Sequence, residues 1–428
     1  MPRLLLLAHR IPFPPDKGEK LRAYHFIAHL AGRFDVRLGC LVDDPADWDG
    51  VAALRRLCGE VGAFGITRRR QRAKALLRAR PGRSLMLDYY RSAELHRWTR
   101  TQLAGGMDAA LVYTAAMAPY VLGVGLPTVL DMVDVDSEKW AMYARRDGGP
   151  MRLLWQREAR NLLRFERRAA AASAATLFVS QREAARFAEL APAAREKIYW
   201  VENGVDLEAF SPLRPWPNPF PDPGPHLVFT GHMDYWPNVD AVEWFATEVM
   251  PRLRTRQPAP QFWIVGANPS DPVKRLAGLP DVHVTERVPQ VQPYMAHAAV
   301  CVGPLRMARG IQNKVLEAMA MGRPVVASPQ AFEGVRAESG KHLLVAEGAE
   351  QTARAVAAVL DGEYPTLGDA ARRAMEQGYS WSATLRRLDA HLARCLARPA
   401  PTPSREGDGA GVGDHIAAGS FVSNVSPP

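Results

Sequence analysis

The sequence predicts an α/β chain made of two doubly wound, Rossmann-like domains, and three observations predict it. Short apolar runs alternate with helix-patterned stretches along most of the chain, which is the pattern of strands buried under helices. The alternation breaks once, at the proline-dense stretch 212–225, which reads as a stiff connector. A chain of 428 residues is also long for a single core and suits two domains of ordinary size.

In the first half the strand candidates are Leu4–Ala8, Val36–Leu41, Ala109–Tyr113, Thr128–Asp131, Thr176–Val179 and Ile198–Val201. The opening leucines are too few for a signal peptide and run straight into prolines, so they read as a buried first strand. After the connector come His226–Thr230, Gln261–Val265, Val282–Thr285, Val300–Gly303, Val325–Ala327 and Leu343–Val345. The expected organisation is an N-terminal domain over 1–211, the linker 212–225 and a C-terminal domain over 226–380. A last helix over 381–397 follows, then a Pro-, Ser- and Gly-rich tail over 398–428 that reads as disordered.

The composition is that of a soluble globular protein, with 47% hydrophobic and 23% charged residues. A net charge of +9 favours an anionic partner without naming it. No apolar run is long enough to span a bilayer, so the expected location is cytoplasmic, with peripheral attachment to the inner face of the membrane as an option. Cys40, Cys58, Cys301 and Cys395 are dispersed and read as reduced thiols, neither a disulfide frame nor a zinc set.

The richest segment runs from Arg309 through Gly310, Ile311, Gln312, Asn313, Lys314 and Glu317 to Gly322 and the strand Val325–Ala327. It reads as loop, helix, tight turn and strand. Asn313 is the expected cap, and Gly322 the expected left-handed stop. Backbone N–H groups and the positive end of the helix dipole then form a ready phosphate site. Glu317, about one turn along, can accept hydrogen bonds from a vicinal diol, as acidic residues do for nucleotide ribose. Phosphate and diol together suggest a nucleotide.

This segment resembles the donor-binding signature of retaining GT-B glycosyltransferases of family 4. Val201 to Asp206, the Ile264-Val265-Gly266 strand end and Ser380-Trp381 resemble the same family. The stretches His9–Arg22, Asp131–Trp140 and Ala308–Lys314 are similar to the sugar transferases found with exosortase (PEP-CTERM) exopolysaccharide systems. The resemblance implies two domains facing a central cleft, with the last helix crossing back to the first domain. It implies a nucleoside-diphosphate sugar donor, a lipid-linked or oligosaccharide acceptor, retention of configuration, and no cofactor or metal.

The sequence departs from the family in three places. The Arg and Lys expected after the first strand of the second domain are missing from Thr230 to Asn238, a stretch that includes Gly231 and His232. Lys314, with Arg309 or Arg306, is the replacement expected to neutralise the leaving diphosphate. The competing reading makes Lys314 a solvated residue set against the helix dipole. Arg309 stands where the family has its first glutamate, and an arginine cannot act as a base. Asp131 or Asp134 stands near the family's usual histidine and is the candidate catalytic carboxylate, whereas Asp136 and Ser137 fit a helix cap.

Lys17, Gly18, Glu19 and Arg22 form an acceptor-side or phosphate loop after the first strand, or an ordinary turn. Asn203 and Gly204 are expected to line the cleft and position groups in it. The basic run Arg68–Arg80, with Leu76 and Leu77, suits an anionic membrane surface or a plainly solvated helix. Nucleic acid ranks lower, because no nucleic-acid motif accompanies the charge. The rivals to transfer are a degenerate scaffold, motivated by Arg309, and a nucleotide-sugar epimerase. A dinucleotide oxidoreductase lacks its Gly-x-Gly-x-x-Gly after the first strand.

Overall fold

The computed structural model describes residues 1–15, 18–308 and 310–397. The expected disordered tail over 398–428 lies outside the described residues, as do Lys17 and Arg309. Packing divides the chain into two compact units. Among the described residues one comprises Met1–Thr176, Ala188–Ile198 and the chain from His391 to Ala397, and the other Leu177–Phe187 with Tyr199–Ala390.

The first sheet has seven strands in the order β3-β2-β1-β4-β5-β6-β7. They are β1 (Arg3–Ala8), β2 (Asp35–Val42), β3 (Glu60–Gly65), β4 (Ala109–Tyr113), β5 (Thr128–Val133), β6 (Ala175–Phe178) and β7 (Ile198–Trp200). β1 pairs in parallel with β2 on one side and β4 on the other. Its leucines are wholly buried, as a strand covered on both faces requires. Only β3 escaped the sequence reading. Its Glu-Val-Gly-Ala-Phe-Gly is short of β-branched residues, and Gly62 is needed because a Cβ there would lie 2.6 Å from the Trp98 ring.

The second sheet has six strands in the order β10-β9-β8-β11-β12-β13. They are β8 (His226–His232), β9 (Gln261–Ala267), β10 (Val282–Val284), β11 (Val300–Gly303), β12 (Val325–Ala327) and β13 (Leu344–Val345). Each sheet therefore starts at its centre, winds outward three strands, and returns to wind the other way. The reversals fall between β1 and β4 and between β8 and β11, and these are the points where doubly wound sheets open a crevice beyond their carboxyl ends. The connector segment packs closely on its own unit, with the buried Phe220 ring stacked on His226 at 3.8 Å.

The long helix Gly149–Ala172 fixes two other helix starts in the first unit. Glu158 accepts from Ser84 Oγ (2.5 Å), Leu85 N (2.8 Å) and Met86 N (3.0 Å), at the start of the Leu85–Tyr89 helix. Glu166 accepts from Ser137 N (3.1 Å) and Ser137 Oγ (2.5 Å), in the first turn of the Asp136–Arg146 helix. Ser137 was expected to cap its own helix. Instead its hydroxyl donates to a buried carboxylate supplied by another helix, and burial pushes Glu166 up to about 8.

Candidate active site

The site in the second unit grows from the reversal between β8 and β11. β11 leads through buried Leu305 to the loop that ends at the helix Asn313–Ala320. That helix closes with a Schellman turn. Arg323 N donates to Ala318 O at 3.2 Å and Gly322 N to Met319 O at 3.0 Å, with Gly322 in the expected left-handed conformation at φ +67°. Its start differs from the expectation. Gln312 is the capping residue and makes no side-chain cap, so Asn313 is the first helical residue. The Asn313 side chain is drawn away from the helix end, because its Oδ1 accepts from Asn203 Nδ2 at 3.0 Å.

Lys314 follows on the first turn and reaches across to the end of β8. Its Nζ lies 2.6 Å from Asn238 Oδ1 and 4.1 Å from the centroid of the Phe229 ring. Asn238 is itself fixed, since its Nδ2 donates to His232 O at 2.9 Å. A Cβ on Gly231 would lie 2.8 Å from Asn238 Nδ2 and 3.1 Å from Lys314 Nζ, so glycine is what lets these groups converge. Apolar side chains including Val228, Cys301, Val315 and Ala318 form a pocket beside Lys314. Burial among them holds the ammonium below the ordinary lysine range, partly opposed by Glu317. Glu317 is held above the ordinary carboxylate range by the same burial, with Lys314 acting the other way.

The geometry excludes one reading of Lys314, that of a solvated surface residue. A cation aimed along the strand end, beside a helix N-terminus and half stripped of water, is poised for an anion. Gly310 and Ile311 complete the approach to that helix, and Gln312 Nε2 donates to Gly310 O at 3.3 Å. Arg306, the other candidate cation, is engaged by both carboxylate oxygens of Asp240, which neutralises its charge locally. Asn238 and Phe229 were not singled out in the sequence. The Tyr-Trp-Pro-Asn run after β8 was the available signal, since Pro237 fits the first turn of the helix Trp236–Trp244 and places Asn238 just behind the strand end.

Asn203 and Gly204 belong to the same neighbourhood. Glu202 is buried and paired with Arg336 (2.7 Å) and Arg387 (2.8 Å), which fixes the backbone leading into Asn203. A Cβ on Gly204 would lie 2.7 Å from Trp381 Cα, and Val205 N donates to Tyr379 O at 2.7 Å. Gly204 thus permits close packing against the start of the last helix, whereas Asn203 touches the candidate site.

In the first unit the expected site residues separate. Arg22 was expected to contact phosphate or acceptor, and the structure corrects this. It is fully buried, its Nε donates to Asp131 Oδ2 at 2.8 Å, and its guanidinium lies 4.7 Å from the Phe26 ring centroid. Its place on the inward stripe of the helix Gly18–Leu30 explains this, because Ala23, Phe26, Ile27 and Leu30 are buried there too. Asp131 is equally buried and also accepts from Val133 N at 3.0 Å, so its carboxylate is committed to the fold and not offered to a substrate hydroxyl. Burial raises its pKa and the Arg22 charge opposes the rise.

Asp134 remains nearer the surface and pairs with Lys139 at 3.0 Å, alongside Asp136 at 3.2 Å. Val133, between Asp131 and Asp134, adopts φ +65°, which is strained for a β-branched residue. Gly18 is exposed at its helix start, and the side chain of Glu19 lies outside the described residues. Among the described residues, no three His, Cys, Asp or Glu side chains gather as a metal would need.

Residues 224–362 match the family model for glycosyl transferases group 1. A search of curated proteins finds no match. Among solved structures, sucrose-phosphate synthase from Thermosynechococcus elongatus superposes with a TM-score of 0.68 at 16% identity, over 93% of this chain and 100% of that one. HepE from Anabaena, in complex with UDP and glucose, gives 0.63 at 14% identity over 91% and 99%. The α,α-trehalose 6-phosphate synthase from Burkholderia multivorans gives 0.60 at 13% identity over 93% and 99%. The chain therefore has the GT-B fold, and its second sheet lies within the residues that match the group 1 glycosyl transferase family.

Proposed function

We propose that the protein transfers a sugar from a nucleoside-diphosphate sugar to a saccharide acceptor carried on a lipid, in exopolysaccharide synthesis and with retention of configuration. The observation that carries this reading is Lys314, held against Asn238 at 2.6 Å beside a helix N-terminus where its sheet reverses. In this reading the leaving diphosphate meets the Lys314 ammonium and the first N–H groups of the Asn313–Ala320 helix, where negative charge develops in the transition state. Glu317, one turn along, takes the ribose hydroxyls. Asn203 sets the orientation of Asn313 and hence of the helix start.

The group 1 family match supports sugar transfer, and the UDP held by the Anabaena neighbour makes uracil the first base to test. Retention, family 4 membership and the association with exosortase systems rest on the sequence resemblance. Asp134 is the carboxylate best placed to orient an acceptor hydroxyl, because Asp131 is spent on Arg22. The reading needs no metal or cofactor.

Thermal unfolding with a panel of nucleoside diphosphates tests the donor half. One diphosphate should stabilise the protein by about 2.7 kcal/mol at a hundred times its Kd. The gain should shrink in both Lys314→Ala and Glu317→Ala, more in the first than in the second. Stabilisation by no nucleotide would favour a scaffold, and stabilisation unchanged by both substitutions would move the site elsewhere.

A further inference from the structure

The first unit carries a surface that the donor site does not use. Residues 68–83 hold eight basic side chains and no acidic one. The helix Arg68–Leu77 is anchored by one narrow face. Gln71 Nε2 donates to Tyr89 O (2.8 Å) and Arg91 O (3.1 Å), Ala75 is buried a turn later, and Arg68 pairs with Asp43 at 2.9 Å. The opposite face presents Arg69, Arg70 and Lys74 to solvent, and the helix ends in Leu76 at 59% and Leu77 at 86% exposure.

A third leucine stands on a second element of the same unit. Leu153, in the first turns of the helix Gly149–Ala172, is 68% exposed beside the exposed Arg152. That helix is tied to the basic stretch one turn further on. Arg157 donates to Arg80 O (2.6 Å) and Arg83 O (3.2 Å), and Asn161 to Arg83 O (3.0 Å). Leu153 is therefore held near the end of the basic helix, and the three exposed leucines have basic neighbours on both elements.

We propose that this composite face, the Arg68–Leu77 helix with Leu153, docks on an anionic phospholipid bilayer. Arginine and lysine meet lipid phosphates while the leucines enter the acyl boundary, the division of labour that peripheral membrane helices use. Charge complementarity selects an anionic partner. The leucines select a bilayer over a nucleic acid, whose phosphate backbone gives exposed leucines nothing to bury against. Among the described residues no helix is long and apolar enough to cross a membrane, so the attachment is peripheral. The surface stands on its own geometry, and only its use rests on the lipid-carried acceptor proposed above.

Sedimentation of the full chain with vesicles tests this. The protein should pellet with phosphatidylcholine vesicles containing phosphatidylglycerol and stay in solution with phosphatidylcholine alone. Leu76→Asp combined with Leu77→Asp should weaken partitioning by about tenfold or more, and so should the charge reversals Arg69→Glu, Arg70→Glu and Lys74→Glu together. Leu153→Asp should weaken it by a smaller factor. All these side chains are exposed, so thermal midpoint and diphosphate stabilisation should be unchanged, which separates failure of this inference from failure of the donor reading. Equal pelleting with both vesicle types, or none with either, overturns the proposal. So does anionic binding that is indifferent to the leucine changes and matched by duplex DNA, which would mark a general polyanion surface.

Discussion

The two sheets share one winding scheme and use its reversal point differently. In the first, the polar pair of Arg22, on the helix after β1, and Asp131, within β5, is sealed away from water and closed on itself. In the second, Lys314 and Glu317 lie beside β8 and β11, only partly covered, and each is held away from its ordinary pKa. Topology therefore fixes where a crevice can form, and the completeness of local pairing determines whether a polar group there is structural or available.

The largest expected effect breaks the first half of this contrast. Asp131→Ala should cost about 3–5 kcal/mol in denaturant unfolding, because it strands a buried guanidinium. The double change Arg22→Met with Asp131→Leu should recover most of that loss. A single change costing under about 1 kcal/mol, as exposed pairs do, would show that the pair is not sealed.

Lys314→Met should instead leave folding intact and weaken diphosphate binding by about 1.5–3 kcal/mol, roughly tenfold to a hundredfold, as measured by calorimetry. Unaltered affinity would remove Lys314 from the donor site.

Gly231→Ala sharpens the same point sterically. Its Cβ would press on Asn238 and Lys314, so the expected cost is about 1–3 kcal/mol, divided between stability and diphosphate affinity. An alanine variant with native stability and affinity would mean that the strand end relaxes freely.

Smaller still is the role of Glu317 in reading the sugar. Wild-type protein should prefer a ribonucleoside diphosphate to its 2′-deoxy analogue by about 1 kcal/mol, and Glu317→Gln should narrow that preference. A preference that persists unchanged would place the ribose elsewhere.

The pH dependence completes the series. Burial lowers the Lys314 pKa to about 7 and raises that of Glu317 to about 7, so as pH rises through neutrality the free site loses the ammonium and gains a carboxylate charge. A bound diphosphate holds the Lys314 proton on, and binding must then take up a proton at alkaline pH. Diphosphate affinity should fall as pH rises through neutrality, and Lys314→Met should make the fall shallower.

Much of this was legible in residues. The alternation of apolar runs located twelve of the thirteen strands among the described residues, and Gly322 marked its helix end. The missing strand, β3, is short of the β-branched residues that make strands visible, and its Gly62 answers to the Trp98 ring instead. Lys314 and Glu317 were visible because they sit one turn apart on a patterned helix that follows a strand. Asn238 was not, since nothing in a sequence shows which side chain lies 76 positions away across a strand end.

The sequence by itself determined the class of fold, the order of its elements and the segment proposed to receive a phosphate, because periodicity and glycine placement act over a few residues. Only the tertiary structure decided which charged groups are spent. Arg22 and Lys314 both look like ready cations in the chain. One faces a buried carboxylate and the other a neutral amide and an aromatic ring. Their difference is set by long-range partners and by the loss of water around them, and neither is written into local sequence.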